Sequence, residues 1–133
     1  MPACDEPVVV KRIPMAAFGK ARPRVTRNGT YMPDEYTDNK EALRLAFGPV
    51  PAGMVHLSVT AVRRMPVSWS KKKRAAMDGC YTQAGPDNDN ILGAVMDALF
   101  HQDNRVVTTF CEKLWGYEHE LVIEVAVAGR RPA

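Results

Sequence analysis

Cysteine is scarce in this chain, and no apolar run approaches the length that crosses a bilayer. The 133 residues hold three cysteines, Cys4, Cys80 and Cys111, widely spaced and without a Cys-x-x-Cys pair. An odd, scattered set argues against a disulfide framework or a zinc site and fits a reducing cytosol. A membrane-spanning helix needs about 20 consecutive apolar residues; none is present, so no membrane partner is expected. The opening stretch MPACDEPVVV lacks the basic-then-apolar pattern of a secretory signal. Together these absences predict a cytoplasmic protein.

Charge of one sign is also missing locally. Residues 11–30, KRIPMAAFGKARPRVTRNGT, contain six Lys/Arg and no acid, and residues 63–74, RRMPVSWSKKKR, contain six more and no acid. Residues 85–103, GPDNDNILGAVMDALFHQD, contain four aspartates and no Lys or Arg. Each run alone is readily a solvated face. Taken together, the basic runs suit gripping a polyanion and the acidic run suits processing it.

The chain is long enough for one domain with a real core, and the pattern predicts a single mixed α/β domain over residues 1–133. Val8–Met15 reads as a strand. Residues 16–33 read as a loop broken by Gly19, Pro23 and Pro33, with a tight turn at the Asn-Gly of RNGTY. A helix capped by Thr37 runs to Gly48-Pro49, and Gly53–Arg64 alternates as a strand. Ser70 caps a basic helix, KKKRAAM, ending at Asp78-Gly79. A third helix covers Asn90–Phe100, capped by Asp89 or Asn88, with Ile91, Val95 and Leu99 on its apolar face. Strands at Arg105–Leu114 and Tyr117–Val127 follow, turning near Gly116, and the tail GRRPA is too short to form a unit. The order is β-α-β-α-α-β-β.

Asp87 and Asp89 flank one residue at a helix start. On an extended segment both would face the same way, about 7 Å apart at Cα. The helix dipole favours negative charge there, while mutual repulsion opposes it. A divalent cation relieves that repulsion: Mg²⁺ takes carboxylate oxygens and keeps several waters, and it can activate water for attack on a phosphate. Asp and Asn before a helix are equally the ordinary capping choice. On PDNDN alone both readings stay open.

PDNDNILGAVMDAL followed by QDNRVV resembles the core signature of the RusA family of Holliday junction resolvases, Pro-Asp-x-Asp-Asn and then a helix ending in Asp-Ala-Leu. GKARPRVTRNGTYMPDEYT and SKKKRAAMDG are similar to the basic segments of phage-type members. The resemblance spans about Lys20 to Val107. It implies a homodimeric, Mg²⁺-dependent endonuclease, with Mn²⁺ a possible substitute. Such an enzyme cuts two opposing strands of branched DNA symmetrically during recombination and repair, in a bacterial or phage-infected cytoplasm. The catalytic and metal-binding carboxylates fall on Asp87, Asp89 and Asp103. Asn90 matches the residue that orients the second carboxylate, and Asp97 a supporting structural position.

Two departures stand out. Members commonly carry a lysine four residues after the second aspartate, where Gly93 stands here; either Lys20 or a neighbouring arginine takes its place, or catalysis is weakened. Glycine inside a helix also costs about 1 kcal/mol relative to alanine, so a packing or close-approach reason is expected. Secondly, only Phe100, His101 and Gln102 separate Leu99 from Asp103. A helix over Asn90–Phe100 is about 16 Å long, and three residues reach back at most about 10 Å. Asp103 therefore meets Asp87 and Asp89 only if the helix ends early or if it joins from a partner subunit.

Phosphate contacts should dominate recognition of a branched backbone. Lys20, Arg22, Arg24 and Arg27 on the first loop, and Lys71, Lys72, Lys73 and Arg74 on the short helix, are the candidate DNA contacts. Tyr31 and Tyr36 either stack on a base or pack beneath the loop. His56 and His119 read as structural, His101 as a possible neighbour of a metal's water shell, and Trp69 and Trp115 as packing residues. Competing functions are a nuclease of flaps and forks, a branched-DNA binder with weak or lost cleavage, and a small interaction domain with surface charge.

Overall fold

The computed structural model describes residues 8–129; Cys4, the opening MPACDEP and the closing RRPA lie outside them. Within them the chain forms β1 (Val8–Ile13), β2 (Arg24–Thr26), β3 (Gly29–Tyr31), α1 (Asp34–Phe47), β4 (Val55–Arg64), α2 (Lys71–Met77), α3 (Asn88–Leu99), β5 (Val106–Gly116) and β6 (Glu120–Val127). The expected mixed α/β order is present, with the small β2–β3 hairpin added inside the stretch expected as loop. Among the described residues no helix is long and apolar enough to cross a membrane.

Four strands make one sheet in the order β1-β6-β4-β5. β1 and β4 run antiparallel to β6, whereas β4 and β5 run parallel. Parallel neighbours need a long crossover, and here the crossover carries α2 and α3. α3 lies antiparallel to β5, because its end leads directly into that strand's beginning.

Alternation along the strands decides which sheet face is buried. Val55, Leu57, Val59 and Ala61 of β4 and Leu121, Ile123 and Val125 of β6 are buried on one face. They form one core with Leu43 and Phe47 of α1 and Ile91, Ala94, Val95, Ala98 and Leu99 of α3. The intervening β4 residues, His56, Ser58, Thr60 and Val62, are exposed or half-buried on the opposite face. The sheet is thus helix-covered on one side.

Several boundaries differ from expectation: β1 stops at Ile13, β4 starts at Val55, α3 stops at Leu99, β5 covers Val106–Gly116 and β6 starts only at Glu120. α1 begins at Asp34 after Pro33; Asp34 and Glu35 occupy its first turn, where negative charge suits the dipole. Thr37 lies inside that turn, its hydroxyl donating to the Pro33 carbonyl at 3.3 Å, and is not the cap. α3 begins at Asn88, two residues early, with Asp87 as its N-cap instead of Asn88 or Asp89. In the hairpin, Thr26 pairs with Gly29, so Arg27-Asn28 form the turn. α2 is capped as expected, Ser70 Oγ accepting from the Lys73 N–H at 3.1 Å.

The core makes one strong demand on α1. Phe47 is 1% exposed, and replacing a buried Phe by Ala typically costs about 3–5 kcal/mol. Phe47→Ala should therefore lower the urea-unfolding free energy by that amount; a loss under about 1 kcal/mol would show that α1 does not seal the sheet as described.

Candidate active site

The start of α3 is held against the sheet by side chains whose bracing role sequence reading does not anticipate. Asn88 Nδ2 donates to the Cys111 carbonyl at 3.1 Å, pinning the first helical turn to β5. Upstream, Arg63 donates to the Gly85 carbonyl at 2.6 Å and Lys113 Nζ to the Ala84 carbonyl at 3.1 Å. The main chain at Thr82 adds a bond from its N–H to the Lys113 carbonyl at 3.1 Å. Arg63, Lys113 and Asn88 are positioning residues. Their only sequence signal is a polar residue in or beside a strand or helix start, which is too common to read.

Asp87 and Asp89 stand on this braced turn, both exposed. Asp87 is the N-cap by backbone position, yet its side chain makes no capping hydrogen bond. Its carbonyl accepts from the Ile91 N–H at 2.9 Å, the first bond of the helix. Asp89 Oδ1 accepts only from the adjacent Asn90 N–H, at 3.1 Å. Neither carboxylate is in an ion pair among the described residues. Asp87 is extended, but Asn88 and Asp89 are already helical, so the pair does not stand on one face of an extended segment as the spacing alone suggests. Asn90 supports Asp89 through its backbone N–H, and its carbonyl receives the Lys20 N–H at 3.1 Å.

Asp103 stands elsewhere. It opens a 3-10 turn, Asp103–Arg105, between the end of α3 and the start of β5. That turn is fastened by Arg105, which donates to the Gly53 carbonyl at 2.9 Å and to the Pro51 carbonyl. The 12 residues of α3 span about 18 Å between the aspartate pair and this end. α3 ends at Leu99, one residue early, which does not close the gap. Among the described residues no three His, Cys, Asp or Glu side chains gather to hold a metal ion.

Asp97 joins α3 to α1. Its Oδ2 accepts from the Tyr36 hydroxyl at 2.8 Å and from Lys40 Nζ at 3.0 Å. Tyr36 is buried and meets Phe18 edge-on, with ring centroids 6.0 Å apart. Burial, then the Asp97 carboxylate, pushes the tyrosine hydroxyl's pKa far up. For Asp97 burial works against ionisation, but the bonds from Tyr36 and Lys40 and the charges of Lys40 and Lys20 outweigh it and hold the carboxyl below its ordinary range.

The cations divide into free and engaged. Arg22, Arg24 and Arg27 lie on or beside the β2–β3 hairpin, every residue of which is exposed. Lys71, Lys72 and Lys73 are exposed on α2, with Lys73 Nζ 4.2 Å from the centre of the Trp69 ring. Arg74 is turned to structure, donating to the Trp69 carbonyl at 3.1 Å and the Val67 carbonyl at 2.9 Å. Trp69 and Trp115 pack edge-on, 5.1 Å between centroids. His56 Nδ1 lies 2.6 Å from Thr108 Oγ1, and His119 Nδ1 accepts from the Arg64 N–H at 3.2 Å. His101 and Tyr31 are exposed.

Two oxygen donors without a neutralising protein cation suit a hard divalent ion that retains most of its water. A small α/β domain with such a pair left open, and with exposed cations elsewhere on its surface, is compatible with a hydrolase that acts on a polyanion. The family is narrower still. Residues 14–126 match the model of endodeoxyribonuclease RusA, and the chain belongs to that family; it is an enzyme of endonuclease type, and membership implies action on Holliday junctions. No protein of curated function matches the chain.

The Asp97 cluster carries an acid-side consequence. Because its carboxyl titrates below the ordinary value of 3.8 when folded, it contributes stability that is full above about pH 4 and lost as pH falls through the folded value. Melting temperatures of the protein and of Asp97→Asn, measured from pH 6 to pH 3, should differ most near pH 6 and converge in acid. A gap constant across that range would show that the ionised carboxylate contributes nothing.

Proposed function

We propose that this protein is a divalent-metal-dependent resolvase, which cuts two opposed strands of a four-way DNA junction with paired nicks in recombination and repair. One observation carries the reading. In a chain of the RusA family, Asp87 and Asp89 occupy a turn braced by Asn88, Arg63 and Lys113, yet their carboxylates are left without a protein cation. A fold that spends three side chains on placing a turn, and none on neutralising it, reserves the charge for a ligand.

Asp87 and Asp89 would hold Mg²⁺, or Mn²⁺ in its place, which supplies an activated water and charge stabilisation at the phosphate. The Asn90 N–H fixes one oxygen of Asp89 and so its orientation. Arg22, Arg24 and Arg27 on the exposed hairpin, with Lys71, Lys72 and Lys73 on α2, bind backbone phosphates. Arg74 leaves that set for a structural one, because its guanidinium is occupied by carbonyls. The enzyme acts as a homodimer, since a two-fold pair of sites addresses two opposed strands. Asp103, at the far end of α3, is assigned to the site of the partner copy.

Two measurements check this. A labelled four-way junction incubated with protein and Mg²⁺ should be cut at symmetric positions, while linear duplex stays intact. Asp89→Asn should abolish cutting yet still bind the junction. Binding without cutting in Mg²⁺ or Mn²⁺ would mean a branched-DNA binder, and cutting confined to flaps or forks would move the substrate. In the second, Arg24→Gln/Arg27→Gln should weaken junction binding, and the slope of log K against log salt should become shallower by about 0.7–0.9 per lost phosphate contact. An unchanged slope would remove the hairpin from the DNA contact.

A further inference from the structure

Gly93 sits in the middle of α3, one turn beyond Asp89 and one turn before Asp97. A missing side chain there would leave a notch on the helix, but the notch is filled from another part of the chain. A Cβ built on Gly93 would lie 3.2 Å from Lys20 Cδ, 3.5 Å from Lys20 Cβ and 3.9 Å from Lys20 Cγ. The aliphatic stem of Lys20 therefore lies across α3 where the side chain of residue 93 would begin.

The main chain holds it there. Lys20 N–H donates to the Asn90 carbonyl at 3.1 Å. Gly19 lies so close to the helix start that a Cβ on it would be 3.4 Å from Pro86 Cβ and 3.5 Å from Asn90 Cβ. The Gly19-Lys20 segment is thus bonded and packed to the turn that carries Asp87 and Asp89. Lys20 is exposed, and its ammonium makes no ion pair among the described residues. Its charge reaches Asp97 on the near side. Asp89 and Asp97 each lie four residues from Gly93, a helical rise of about 6 Å, so the stem crosses α3 midway between them.

We infer that Lys20 is the catalytic cation of this site, reaching over Gly93 to meet the negative charge that builds on the scissile phosphate beside Asp87 and Asp89. The inference rests on the proposed nuclease reading and adds the residue that reading lacks. It also bears on the glycine: even an alanine's Cβ at 93 would crowd the Lys20 stem, which would have to give by a few tenths of an ångström.

Relocating the charge tests the idea. Lys20→Met keeps an aliphatic stem over Gly93 and removes only the ammonium. It should slow single-turnover cleavage of a four-way junction about a hundredfold, the usual cost of losing one preorganised charge-stabilising group. Junction affinity without metal should fall less than about fivefold, as for one phosphate contact among several, and the melting temperature should hold. Lys20→Ala/Gly93→Lys, which returns the lysine to the helix, should recover at least tenfold of the lost rate. A Lys20 that only packed or gripped DNA would show its loss in affinity or melting temperature and gain nothing from a helix lysine. If the unaltered protein cuts junctions and Lys20→Met cuts as fast, or the relocated lysine restores nothing, the inference fails alone. If the unaltered protein cuts no branched DNA, the nuclease reading fails and the inference with it.

Discussion

Adjacent parallel strands cannot be closed by a tight turn, so the chain between β4 and β5 must leave one end of the sheet and return to the other. Most of what matters in this fold follows from that constraint. The crossover is where α2, the loop at 78–87 and α3 are placed, and the return leg must run antiparallel to β5. The two ends of α3 therefore lie apart along β5, the beginning meeting it at Cys111 and the end leading into Val106. Asp87 and Asp89 belong to one end and Asp103 to the other, and no adjustment of a residue or two at the helix boundary changes this.

The end that carries the aspartate pair is fastened from several directions. Arg63 from β4 and Lys113 from β5 each donate to a carbonyl of the crossover, and Asn88 of α3 donates to the Cys111 carbonyl of β5. The loop after β1 closes over the same turn through Lys20 and Asn90. Further along α3, Asp97 ties the helix to α1 through Tyr36 and Lys40. Rigid support under exposed carboxylates is what preorganised chemistry requires. The supporting groups are polar contacts to the main chain, so little tolerance for movement is left in the turn.

Much of this was legible in the sequence, and the misses have physical causes. The strands β1, β4, β5 and β6 follow from alternation and β-branched residues, and α3 follows from Ile91, Val95 and Leu99 at four-residue spacing. Its start reads two residues late because Asp89 and Asn88 have the chemistry of a cap, and the backbone instead turns at Asp87. Thr37 misleads in the same way, since its hydroxyl serves the first turn from inside. The hairpin is signalled by Asn-Gly, but which two residues form its turn depends on register, which composition does not encode. The carboxylate pair is visible as a motif, and Gly93 as an anomaly. That Lys20 fills the space above Gly93 is a long-range contact, and no local pattern carries it. The distance to Asp103 is foreshadowed by helix length against a three-residue link; the side chains that brace the Asp87 turn are not foreshadowed at all.

The β2–β3 hairpin has no buried residue, and Val25 at its centre is 82% exposed. A two-stranded ribbon without a core is marginal on its own, and segments with few buried contacts open at a small fraction of the global unfolding free energy. Mechanically, the molecule is a stiff frame with one compliant arm. The frame fixes the Asp87–Asp89 turn, while the arm, bearing Arg24 and Arg27, has no core of its own to hold it in one shape. In the proposed nuclease, tolerance of varied backbone shapes would thus come from the part of the chain that contributes least to holding the fold together.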